Sequence, residues 1–136
     1  MMGVEEPAIS PFPDIEFMPK PTEFVQHVVE TMRDFGAVRT KAMFGGWGIW
    51  RDEVFFALIV DDTLFLKTDA ETLPVFRARG LEPFVFEKTQ TGEKVTTSYV
   101  QAPEEALDSP GEMLEWARLA YAAALRSGAK KKKRPK

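Results

Sequence analysis

Cysteine is absent from the 136 residues, which excludes disulfides, thiolate metal sites and a Cys nucleophile. Histidine is almost absent: His27 alone would have to serve any imidazole chemistry. No stretch approaches the roughly 20 consecutive apolar residues that a membrane helix requires, so no span and no membrane partner is expected. Residues Met1–Ile9 carry Glu5 and Glu6 and no apolar segment, so neither a secretory signal nor an Arg-rich transit peptide is expected there. Together with the lack of thiols this points to a reducing, cytoplasmic setting.

What is present is ample for a core. Apolar residues make up 44% and aromatics 12% of the chain, enough for one domain of ordinary size. The net charge of -3 conceals an asymmetry. Lys130, Lys131, Lys132, Lys133, Arg134 and Lys136 are six of the 18 basic residues; without them 12 bases face 21 acids, a charge of -9. The body should repel nucleic acid while the C-terminal run attracts it.

Residues 1–20 hold Pro7, Pro11, Pro13 and Pro19 without a helical or strand period, and read as a flexible arm. From Pro21 to Phe35 the period is helical, with Phe24, Val25, Val28, Val29, Met32 and Phe35 on one stripe and His27 at its polar edge, a solvated position. Short strands follow. Ala37 to Phe44, Ile49-Trp50, Val54 to Val60 and Leu64 to Lys67 are separated by Gly45-Gly46-Trp47-Gly48, Arg51-Asp52-Glu53 and Asp61-Asp62, the pattern of an antiparallel β-meander. In the last of these Leu64 and Leu66 share one face, and Phe65 and Lys67 share the other, partly solvated one.

Asp69 or Thr72 opens a short helix to Arg79; Pro74 is tolerated only in the first turn, which makes Thr72 the better cap. Pro83–Phe86 and Val95–Val100 predict two further strands, and Ala102–Leu107 a helical turn. Ser109, Pro110 and Glu112 form a capping signature for a long last helix, with Met113, Trp116, Ala117, Ala120, Tyr121 and Ala124 on its apolar side and Gly128 as its terminator. The expectation is an α+β domain over residues 21–127, a sheet of five or six strands packed with an N-terminal, a short middle and a long C-terminal helix. Residues 128–136 are expected to be a basic disordered tail.

The candidates for chemistry are few. The Gly45–Gly48 cluster lacks the spacing of a phosphate-binding loop and reads as a place where a strand bends or another backbone approaches closely. Asp52-Glu53 and Asp61-Asp62 sit where tight turns are expected, and turn chemistry explains them better than a metal does. No serine has a nucleophile-elbow context, so no catalytic residue, metal or cofactor is expected. Phe44, Gly45, Gly46 and Trp47 are the candidate partner-binding patch, with Trp50 on the same stretch, since Trp and Phe are common at interface hot spots. The Lys130–Lys136 run is the candidate nucleic-acid contact; without aromatics it would act as a non-specific anchor.

Several blocks in register resemble a known family. Met43-Phe44-Gly45-Gly46-Trp47-Gly48-Ile49, Phe56-Ala57-Leu58-Ile59, Leu64-Phe65-Leu66-Lys67, Gly80-Leu81-Glu82-Pro83-Phe84, Ser98-Tyr99 with Pro103, and Leu114-Glu115-Trp116-Ala117 are similar to successive blocks of the N-terminal domain of the TfoX/Sxy competence regulators. The resemblance spans about residues 21–126. It implies an α+β fold with an antiparallel sheet and packed helices, and no catalytic residues or cofactors. It also implies a bacterial positive regulator of DNA-uptake genes, working with the cyclic-AMP receptor protein at promoters. The family's C-terminal helical domain is expected to be missing, with the basic run in its place. The leading expectation is therefore a non-enzymatic regulatory domain that binds a protein partner, such as part of the transcription machinery. Its rivals are a nucleic-acid-associated protein anchored by the Lys run and a domain binding a small ligand or metal. An unpaired strand edge or an exposed Trp patch would support a homodimer.

Overall fold

The computed structural model describes residues 21–43 and 45–133. The arm read over residues 1–20, and Phe44, Arg134 and Lys136, lie outside the described residues, as do the side chains of Lys130–Lys133. In chain order the elements are α1 (Glu23–Thr31), β1 (Arg39–Met43), β2 (Gly46–Arg51), β3 (Val54–Val60), β4 (Thr63–Lys67), α2 (Leu73–Ala78), β5 (Pro83–Glu87), β6 (Lys94–Gln101), α3 (Glu104–Asp108) and α4 (Pro110–Lys133). The fold is α+β, as the residue pattern predicts.

All six strands form one antiparallel sheet in the order β1-β2-β3-β4-β6-β5. The first four make the expected meander. The β5–β6 hairpin then joins with its second strand inward, because α2 separates β4 from β5 and Lys67 pairs with Tyr99 of β6. Asp52, Glu53, Asp61 and Asp62 all have φ between 49° and 69°. Both acidic pairs are thus two-residue hairpin turns of left-handed backbone, which Asp tolerates better than most side chains.

One irregularity organises the two faces of the sheet. Between β2 and β3 the register slips: Ile49 pairs with Ala57, but Trp50 pairs with Phe55. Phe56 is the extra residue of a β-bulge, so Phe56 and Ala57 both turn toward the helices, where each is fully buried, while Phe55 turns away. Around Phe56 stand Phe35, with ring centroids 5.4 Å apart, and Tyr121, at 5.9 Å.

The core lies between this face and the helices. Ile49, Ala57, Ile59, Leu64, Leu66 and Val100 meet Val25 and Val28 of α1, Met32 at its C-terminal cap, and Met113, Ala117, Ala120 and Ala124 of α4. Alanine at successive turns lets α4 lie close on β3 and β4. The cap of α4 is as expected: Ser109 Oγ accepts from the Glu112 amide at 3.2 Å. The exposed His27 has a task, its Nε2–H donating to the Leu107 carbonyl at 2.6 Å and tying α1 to α3.

Two boundaries differ from the residue-level reading. Thr72 does precede α2, but its side chain does not cap the helix; the Asp69 carboxylate accepts instead from the Glu71 and Thr72 amides, at 3.1 Å each. Gly128 does not stop α4, whose backbone stays helical to Lys133. Gly128 does not have positive φ, so it is an interior glycine costing about 1 kcal/mol, and the Ala and Lys residues that follow are good helix formers.

Asp69 also binds Arg126 of α4, with Nη2 donating at 3.0 Å. That hydrogen bond, outweighing the effect of burial, holds the Asp69 carboxyl at about 2 instead of 3.8, with the Thr72 amide helping. A depressed carboxyl pKa stabilises the fold above the unfolded value and ceases to do so as pH falls through the folded one. The Asp69–Arg126 link between the segment before α2 and α4 should therefore contribute about 1 kcal/mol at neutral pH, after allowance for solvent screening, and vanish between about pH 4 and pH 2. In Asp69→Asn that loss should be missing from the pH dependence of unfolding by urea.

Candidate functional site

The face of the sheet opposite the helices is where side chains of one kind gather. Strand pairing places Arg39 and Lys41 of β1, Trp50 of β2, Phe55 and Leu58 of β3, Phe65 and Lys67 of β4, and Tyr99 of β6 on it. Phe84 and Phe86 of β5 extend it to the far edge, where Phe86 is 43% exposed. The rings form two runs. Trp50 and Phe55 are 4.7 Å apart and Phe55 and Tyr99 5.5 Å; Phe65 and Phe84 are 5.1 Å apart and Phe84 and Phe86 6.3 Å.

Gly48 makes the first run feasible. A Cβ there would stand 2.7 Å from the Met43 Sδ and the Trp50 ring and 2.8 Å from the Phe55 ring. Without a side chain at Gly48 the two rings close over the strand.

Cations sit among the rings. The Arg39 guanidinium lies 5.5 Å from the Trp50 ring centroid, and the Lys67 ammonium 5.4 Å from that of Tyr99 while donating to the Ser98 hydroxyl at 2.6 Å. Arg39 also pairs with Glu53 at 3.5 Å, an exposed contact of little energetic weight. Burial pushes the Tyr99 phenol up to about 12, so it is neutral at physiological pH.

At one end the face runs into a groove of about 530 Å³. Phe55, Lys67 and Tyr99 line it from the sheet, Asp52 from the β2–β3 turn, and Leu125 and Gly128 from α4. Leu125 is 46% exposed. The basic run begins two residues beyond Gly128. Among the described residues, no three or more His, Asp or Glu side chains come together as a metal site would require.

The candidate patch 44–47 is split by the structure. Trp47 pairs with Ile59 on the helix side of the sheet and packs against the core, three residues and therefore one face away from Trp50. Gly46 lies against the Ile59 carbonyl, so this part of the cluster does allow close backbone approach. Gly45 is an exposed turn residue with φ 76°. Reading the residues in order missed the set Phe55, Phe65, Tyr99, Phe84 and Phe86. Alternation in β4 marked Phe65 and Lys67, but only strand pairing brings the five rings together.

None of the curated proteins compared with this chain matches it. The family described as the TfoX N-terminal domain matches residues 30–124, which takes in all six strands, and the match ends before Leu125, Gly128 and the Lys run. With the match covering most of its length and the fold in accord, this chain belongs to the TfoX N-terminal domain family.

Proposed function

We infer that this domain is a non-enzymatic regulatory module of the bacterial cytoplasm, acting by holding a component of the transcription apparatus on the open face of its sheet. The observation that carries the reading is the aromatic array from Trp50 to Phe86. A sheet face with this many rings and no described helix upon it is an interaction surface in waiting, since monomeric domains seldom leave large apolar patches uncovered. Family membership supports the regulatory character. A ligand in the groove beside Lys67 and Tyr99 is a second reading, favoured by the mixture of apolar wall and paired charges there.

The test is a comparison of captured partners. Wild-type protein and a Trp50→Ser/Phe86→Ser variant, with folding checked by circular dichroism, are used as bait in lysate of the native host. Transcription components should bind the first and be at least tenfold depleted on the second. Equal recovery by both would contradict the assignment of the face.

A further inference from the structure

We propose that this domain pairs with a second copy of itself through the outer edge of β5, joining two six-stranded sheets into one about a two-fold axis perpendicular to the sheet. The inference goes beyond the reading of the open face and does not depend on it.

The two edges of the sheet are built differently. β1, at one edge, has Lys41 at its middle, and a second β1 centred there would meet like charge. β5, at the other, has Val85 and Phe86, each 43% exposed. Among the described residues these are the two exposed large apolar side chains that lie in strands. No described strand pairs with the outer side of β5.

The backbone of β5 shows which groups that side offers. The Glu82 carbonyl accepts from the Gln101 amide at 2.8 Å and the Phe84 carbonyl from the Thr97 hydroxyl at 2.9 Å, both toward β6. The Lys88 amide donates to the Glu93 carbonyl at 2.8 Å, closing the same hairpin. In an antiparallel strand the N–H and C=O of one residue share a side, and the side alternates along the chain. Val85 and Glu87 therefore point both groups outward, and Pro83 points its carbonyl there. Its missing N–H costs β6 nothing.

A two-fold pairing centred on Val85 uses this pattern well. The two Val85 residues exchange a pair of N–H···O bonds, and each Glu87 amide donates to the Pro83 carbonyl of the second copy. Phe84 then stands opposite Phe86 of the second copy, twice over, extending the stack in which Phe84 and Phe86 lie 6.3 Å apart. Glu82 stands opposite Lys88 of the second copy, also twice. Lys88 Nζ is 3.8 Å from Glu93 in its own hairpin, an exposed contact, and an ammonium with three donors can face both carboxylates. Moving the centre to Phe86 would set Phe84 against Lys88, and moving it to Phe84 would set Glu82 against Phe86. Charge complementarity thus selects both the partner, a second copy, and the register. The axis leaves the two open faces side by side on one side of the joined sheet.

Sedimentation velocity of the full chain at rising concentration tests this. A reversible shift toward twice the monomer mass is expected. Val85→Pro keeps every bond to β6 and deletes the central pair, so it should raise the dissociation constant roughly tenfold or more. Glu82→Lys and Lys88→Glu should each weaken the dimer by a similar factor, and an equimolar mixture of the two should regain it, since opposite charges then face each other across the axis. Lys41→Glu, on the β1 edge, should leave it unchanged. Circular dichroism checks folding, and the mixture alters no backbone, so it decides even if Val85→Pro unfolds. A monomer at every concentration would overturn the proposal. So would a dimer indifferent to Val85→Pro and to both charge changes, or a monomer that instead holds a foreign protein through Val85. None of these variants removes a ring of the open face, so the outcome is separate from the fate of that reading.

Discussion

Replacing Phe56 by alanine is expected to lower the unfolding free energy by about 4 kcal/mol, the cost of a large cavity in a core that cannot close around it. Phe56 is fully buried, flanked by Phe35 from the segment after α1 and Tyr121 from α4, and it is the extra residue of the bulge. Its ring therefore joins three parts of the molecule. Losing it also removes the reason for the slip in register that turns Phe55 to the other face. Urea unfolding should show the loss as a lower midpoint with an unchanged m-value. The Phe55–Trp50 contact should loosen, visible as a change in tryptophan fluorescence under native conditions. Phe56→Leu keeps most of the volume and should recover more than half of the stability.

Gly46→Ala is expected to cost about 3 kcal/mol, an unusual penalty for a single methyl group. The added Cβ would overlap the carbonyl oxygen of Ile59 and press on the Val60 side chain. A backbone atom cannot rotate away as a side chain can, so β2 would have to lift from β3 at that point. Gly45→Ala, one residue earlier, has no neighbour within 4 Å and strains only its own positive φ; it should cost about 1 kcal/mol. Thermal unfolding of the two variants side by side separates close approach from backbone freedom. Equal losses would show that β2 is held less tightly than its packing indicates.

How much of this was readable beforehand depends on the range of the interactions involved. Local chemistry was legible: Ser109 and Pro110 start α4, Asp52-Glu53 and Asp61-Asp62 turn the chain, and alternation in β4 separates Leu64 and Leu66 from Phe65 and Lys67. Each is settled within a few residues. The bulge was hidden because Phe55, Phe56 and Ala57 are all apolar, and only the partner strand determines which of them is extra. The inward position of β6 was hidden for the same reason, as pairing order is a long-range property. Trp47 and Trp50 looked like one patch until their strand was recognised as continuous, which puts them on opposite faces. Gly128 misled because a terminal glycine and an interior one differ only in φ.

The candidate site follows the same division. Its cations and two of its rings lie in strands whose alternation is plain. The site itself arises from pairing across five strands, from Trp50 to Phe86, and from the absence of a side chain at Gly48.

The open face is the central claim, and NMR mapping tests it most directly. Uniformly ¹⁵N- and ¹³C-labelled full-length protein is titrated with the transcription component that the wild-type bait retains, while amide and aromatic resonances are followed. The account predicts the largest shifts at Trp50, Phe55, Phe65, Lys67, Tyr99 and Phe86, with α1 and the buried side of α4 unmoved. Shifts confined to α1 and α4, with those rings silent, would contradict it.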